Sequence, residues 1–113
     1  MNLTDVEAFA LRTIFRDGGS LASEVRDQID TADVVRREFT GVGFFTAIRL
    51  ARPIQSIPKL RMHEFNFCHP AFPYGGSFMC TIDAPDLLEI EAVTLGGASW
   101  PDSLDTSMFT ELI

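Results

Sequence analysis

Six side chains in the middle of this 113-residue chain have the chemistry of a metal or nucleophile site: His63, Glu64, Cys68, His69, Cys80 and Asp83. Zinc needs three or four nitrogen, sulfur or oxygen ligands converging tetrahedrally. A thiol hydrolase needs an imidazole within hydrogen-bond reach of a cysteine. The spacing works against both. Residues 60–67 alternate in the manner of a strand, which sends His63 and Glu64 to opposite faces. Cys68 and His69 are adjacent and poorly placed to chelate one ion, and neither a C-x-x-C nor an H-x-x-x-H pair occurs. Cys80 shares a face with Phe78 and Ile82, where a thiol packs as a small hydrophobe. Neither a metal nor another cofactor is expected.

Two further groupings carry charge. Glu89 and Glu91 lie on one strand face, about 7 Å apart by strand geometry, the arrangement a glycosidase would need but also the ordinary way to keep a sheet face wet. Arg36, Arg37 and Glu38 sit between two apolar runs and must find partners. A structural salt bridge is the first reading of them, and an anion- or partner-binding role is the second. The binding candidates are therefore Arg37, Glu38, His63 and His69. Gly41-x-Gly43 lacks the third glycine and the following helix of a phosphate loop, and there is no G-x-S-x-G elbow.

The elements that must position these residues follow from periodicity. Thr4-Asp5-Val6-Glu7 is a capping box, in which hydroxyl and carboxylate each satisfy the other residue's amide. Val6, Phe9, Ala10, Thr13 and Ile14 then recur at helical spacing up to Gly18-Gly19. Ser20 is expected to cap a second helix with Leu21, Val25 and Ile29 on its apolar face. Beyond Thr31 the period changes to two. Val35, Arg37 and Phe39 alternate with Val34, Arg36 and Glu38, and after a turn at Thr40-Gly41-Val42-Gly43 the residues Phe44, Thr46, Ile48 and Leu50 alternate with Phe45, Ala47 and Arg49. Apolar residues on both sides predict that this hairpin is central and covered on both faces for part of its length.

A third strand is predicted over 60–67, a loop over 69–76, a fourth strand over 77–82 and a fifth over 87–95, with residues 108–113 as a short edge strand. The expected fold is one α+β domain, 1–113, with two N-terminal helices packed on one face of a five- to six-stranded, mainly antiparallel meander sheet. Phe9, Leu21, Val25, Phe44, Ile48, Phe78, Ile82 and Ile90 are its predicted core.

Composition narrows the partners. The net charge is −7, with no basic stripe, which disfavours nucleic acid. No apolar run approaches the roughly 20 residues of a membrane span, and the acidic N-terminus has no leader pattern. With only two cysteines and a core that needs no staple, a reduced, cytoplasmic protein is expected. Ten phenylalanines against one tyrosine and one tryptophan put aromatic area in the core. The C-terminal edge strand suggests a homodimer.

The run Arg37-Glu38-Phe39-Thr40-Gly41-Val42-Gly43-Phe44-Phe45-Thr46, with Gly75-Gly76-Ser77-Phe78 and Leu88-Glu89 leading to Trp100-Pro101, resembles a group of small bacterial proteins. They share an R-E-x-T-G-x-G-F-F segment, a later G-x-G-F segment and a closing L-E…W-P segment. This chain departs from the second with Gly-Gly-Ser-Phe. The resemblance implies a bacterial α+β domain and carries no assigned function. The functional expectation is a non-catalytic binding or interaction protein, in its specific form an immunity- or inhibitor-like protein that covers a basic enzyme, with acidity assisting the encounter. The alternative is a small hydrolase or ligand-binding enzyme using His63, His69, Cys68 and an acid such as Glu38.

Overall fold

The computed structural model describes residues 1–112. Helix α1 (Asp5–Ile14) starts on the predicted capping box: Thr4 Oγ1 accepts from the Glu7 amide at 3.1 Å, and Glu7 Oε1 accepts from the Thr4 amide at 2.8 Å. It buries Ala10, Leu11 and Ile14. The helix stops at Phe15, before the glycines, because the Phe15 ring turns into the core and Arg26 Nη1 donates to the carbonyls of Phe15 and Asp17 at 2.6 and 2.8 Å. Those bonds satisfy acceptors that a helix end leaves orphaned. Helix α2 (Ser20–Arg26) is capped by Gly19 with no side-chain bond, so Ser20 is its first residue and not its cap. Ile29 is buried but belongs to a separate 3₁₀ turn, Ile29–Thr31.

Six strands follow: β1 (Asp33–Phe39), β2 (Gly43–Arg49), β3 (Met62–His69), β4 (Phe72–Ala84), β5 (Leu87–Thr94) and β6 (Thr110–Glu111). All pairings are antiparallel and the spatial order is β1-β2-β5-β4-β3-β6. Strands β3, β4 and β5 run as consecutive hairpins, and the β1–β2 hairpin lies against β5. Both helices pack on one face, and among the described residues no helix is long and apolar enough to cross a membrane.

Three details correct the sequence reading. First, β1 is an edge strand, and the sheet face away from the helices stays open along the hairpin. Three consecutive charges, Arg36, Arg37 and Glu38, suit an edge better than a doubly covered centre. Second, a bulge between Val34 and Arg36 resets the alternation. Val34, opposite Ile48, is buried, Val35 is exposed, and Arg37 faces the helices opposite Thr46. Third, the loop expected over 69–76 is strand from Phe72 onward, after a turn at Pro70-Ala71. Gly76 makes this possible, since any Cβ there would lie 2.4 Å from the Val93 carbonyl and 2.5 Å from the Phe67 ring.

The core lies between helices and sheet. Phe44, Ile48, Phe78, Ile82, Ile90 and Val25 are buried as predicted, while Phe9 and Leu21 are half-buried at its margin. An aromatic cluster fills one end, with Phe67 centred 4.7 Å from Phe78 and 5.0 Å from Phe109. At the other end the β1–β2 turn has Gly41 at φ 88°, the first central position of a two-residue turn of the II′ pattern. Gly43 has a different reason to lack a side chain: a Cβ would sit 1.7 Å from the Ala92 carbonyl oxygen.

Candidate functional site

Glu7 occupies the third position of α1, where a carboxylate serves the helix N-terminus. It is 1% exposed. Burying one carboxylate is unfavourable unless its oxygens are matched, and four donors converge on it. Arg37 Nε bonds Oε2 and Nη2 bonds Oε1, both at 2.8 Å, a two-pronged fork. Thr46 Oγ1 donates to Oε2 at 2.6 Å, and the Thr4 amide supplies the fourth bond. Burial pushes the Glu7 carboxyl up, but the bonds from Arg37, Thr46 and Thr4 outweigh it and hold the group below the usual carboxylate range. The Arg37 guanidinium is stabilised as the cation, chiefly by its hydrogen bonds to Glu7 and against the opposing effect of burial.

The β1 bulge creates this arrangement. Had the strand kept a strict alternation from Val34, Arg37 would point to the open face, away from α1. With the extra residue, Arg37 lies beside Thr46 on β2 and beneath the first turn of α1.

Above the ion pair is a cavity of about 330 Å³, walled mainly by Val6, Phe39, Phe44, Trp100, Pro101 and Leu104. Gly41 and Gly43 line one side, and Asp102 and Ser103 stand at the mouth. The Trp100-Pro101 segment is held there by the Trp100 amide, which donates to the Gly41 carbonyl at 2.8 Å, while the Thr94 amide ties the turn to β5 through the Val42 carbonyl at 2.9 Å. The Trp100 ring stands edge-on to Phe44 at 5.4 Å and stacks on Phe72 at 4.9 Å. The result is an apolar pocket whose polar floor is already neutralised. That combination suits the capture of an apolar group, with Arg37 available for one orienting hydrogen bond.

The other candidates lie elsewhere. Glu38 is exposed on the open face of β1. His63 pairs in register with Cys80 on the helix side, and its ring lies 5.3 Å from that of Phe15. Its Nε2 is buried with no hydrogen-bond partner. The Cys80 thiol is pushed up to about 12 by burial, with the nearby Asp83 charge adding to it, so it resists becoming the thiolate nucleophile. His69 Nδ1 accepts from the Ala71 amide at 3.0 Å and its Nε2 faces the Asp105 carbonyl at 3.1 Å, an arrangement that pins two turns. Cys68 and Cys80 are both free thiols.

Strands β1 and β3 are four steps apart in the sheet, or about 19 Å, so Arg37 and Glu38 do not meet the two histidines. Among the described residues no three His, Cys, Asp or Glu side chains gather as a metal site requires. On the open face Glu89 is engaged with Arg36 at 3.5 Å.

Glu7 and Trp100 line the pocket and Thr46 holds Glu7 by a hydrogen bond, and none of the three was a sequence candidate. Glu7 reads locally as a capping residue, Thr46 as one more β-branched strand residue, and Trp100 as part of a loop. One signal was available: the first and last segments of the R-E-x-T-G-x-G-F-F and W-P pattern supply Arg37, Gly41, Gly43, Phe44, Trp100 and Pro101, all of which line this one cavity. No protein-family model, curated protein or solved structure matches the chain.

Proposed function

We propose that this chain is a non-catalytic binding protein whose site is the pocket bounded by the start of α1, the β1–β2 turn and the Trp100-Pro101 segment. The observation that supports this is the pairing of an apolar cavity with a fully neutralised ionic floor. A catalytic centre keeps a nucleophile, base or acid free to act on substrate, whereas both Glu7 oxygens are committed to structural bonds. The ligand class is an uncharged apolar group, whether a small molecule or a side chain of a partner protein. The net charge of −7 favours a basic surface around that side chain if the partner is a protein. An immunity- or inhibitor-like role is the specific version of this reading.

Trp100 is the only tryptophan and stands in the pocket wall, so it reports occupancy directly. Titration with cyclohexanol and n-hexanol should shift its fluorescence saturably. Val6→Phe, which fills the cavity from α1, should remove the response. No saturable change in the wild-type protein, or an unaltered response in Val6→Phe, would contradict the assignment.

A further inference from the structure

Among the described residues the outer border of β1, from Val35 to Phe39, is the longest unpaired run of the sheet, the other being Met62 to Phe65 of β3. The opposite edge, β6, has only two residues, and the chain beyond it continues the pairing through the Leu112 amide and the Asn66 carbonyl. Strand β1 has seven residues. The Thr40 amide bonds the Gly43 carbonyl, so by antiparallel alternation the main-chain groups of Glu38 and Arg36 point to β2 while those of Arg37 and Phe39 point outward. At the other end of the strand the Val34 amide already bonds a main-chain carbonyl from outside the sheet, that of Met1. This border is able to pair with extended chain.

Its side chains favour one partner. Val35-Arg36-Arg37-Glu38-Phe39 is self-complementary about its central residue. Turned antiparallel on itself with Arg37 opposite Arg37, it sets Arg36, which also reaches Glu89 of its own chain at 3.5 Å, against Glu38 twice, and brings Phe39 alongside the bulged Val35 twice. Val35 and Phe39 are 52% and 72% exposed, large apolar surfaces with nothing yet over them. The two central Arg37 side chains do not oppose one another as free cations, because each is forked onto its own Glu7. Charges on an edge normally repel a chance strand; here one register turns them into attraction.

We infer that two copies of this chain associate through β1 about a two-fold axis at Arg37, joining their sheets into one of twelve strands. The dimer brings Val35 of the second copy beside Phe39 at the mouth of the apolar pocket. It does not depend on the pocket's ligand, so the two readings stand or fall separately. The contact is short and belongs with weak, concentration-dependent interfaces.

Sedimentation equilibrium from about 5 to 500 µM protein spans the range in which a small interface of this kind is populated. The wild-type chain should pass from monomer to dimer. Arg36→Glu and Glu38→Arg should each weaken the dimer by about tenfold or more, since each places like charges opposite one another twice. The double variant Arg36→Glu/Glu38→Arg should restore it, because the swap regenerates the same pairs. Both positions are exposed, so the variants are expected to fold, and far-UV circular dichroism checks this. As a test on the unaltered protein, amide exchange at Arg37 and Phe39 should slow on concentration. A monomer throughout the range, single variants that leave the association unchanged, or amides of Arg37 and Phe39 that exchange equally fast at both extremes would each overturn the inference.

Discussion

At the β1–β2 end of the molecule a buried carboxylate is forked by a half-buried guanidinium with both carboxylate oxygens satisfied, and a cavity is left open above them. At the β3–β6 end the polar groups are two histidines set among phenylalanine rings, one of them with a buried, unmatched nitrogen, and the space between is filled by Phe67, Phe78 and Phe109. The first end spends a costly ionic arrangement on holding a pocket open. The second uses imidazole as spacer and turn fastener. A wider hollow of about 560 Å³ lies beside Cys68 and His69, but both His69 ring nitrogens are engaged with Ala71 and Asp105 and His63 lies outside it, so residue type alone is a poor guide to the site.

The largest effect that tests this contrast comes from breaking the ion pair. Glu7→Ala leaves the half-buried Arg37 without its counter-charge and strips α1 of its tie to the sheet, and unfolding experiments should show a loss of about 3 kcal/mol. Arg37→Met should lose a similar amount, and Glu7→Leu/Arg37→Met should recover much of it, as a coupled pair requires. Independent, small effects would show that the fork is not what holds α1 to the sheet.

The hairpin glycines come next and separate two mechanisms. Gly43→Val forces a Cβ into the Ala92 carbonyl and is expected to exceed about 3 kcal/mol, among the more severe single substitutions. Gly41→Val meets no atom within 4 Å and bears only the strain of a positive φ, about 1–3 kcal/mol. Thermal melts giving the reverse order would contradict the register of β2 against β5.

Acid provides a third probe. Glu7 titrates lower in the folded chain than its ordinary value of 4.5, so its contribution is present above that value and disappears as pH falls through the folded-state one. The difference in melting temperature between the wild-type protein and Glu7→Gln should hold at neutral pH and narrow below 4.5. A gap that persists unchanged to pH about 2, well below an ordinary carboxylate, would assign the effect to packing.

The smallest effect belongs to the histidine end. His63→Phe removes a buried nitrogen that has no partner and keeps the ring against Phe15, so stability should change by less than about 1 kcal/mol, with either sign. Ligand binding at the pocket should be unaltered. A loss of binding would move the site.

The sequence discloses more of the fold than of the site for a physical reason. Periods of 3.6 and 2 report which face of an element is buried, and they place α1, α2 and the runs of β2 and β5 well. A bulge has no periodic signature, so Val34 and Arg37, which a strict alternation puts on opposite faces, both turn toward the helices. The capping box at Thr4 and Glu7 is legible because it is local. The bonds from Glu7 to Arg37 and Thr46 are not, since they span 30 and 39 residues and depend on that same bulge. Strand β4 begins in a stretch rich in proline and glycine, Pro73-Tyr74-Gly75-Gly76, because close approach of β3 and β5 excludes side chains there. Composition marks the glycines but not the neighbours that require them.

The pocket, and not the histidine end, is expected to receive ligand. Heteronuclear NMR with p-cresol and cyclohexanol as probes places the two ends side by side in one spectrum. The Trp100 indole N–H and the amides of Gly41, Gly43 and Ser103 should move together and saturate, while those of His63, His69 and Ala71 stay still. Saturable shifts at His63 or His69 with a silent Trp100 indole, or no saturable shift at either end, would contradict it.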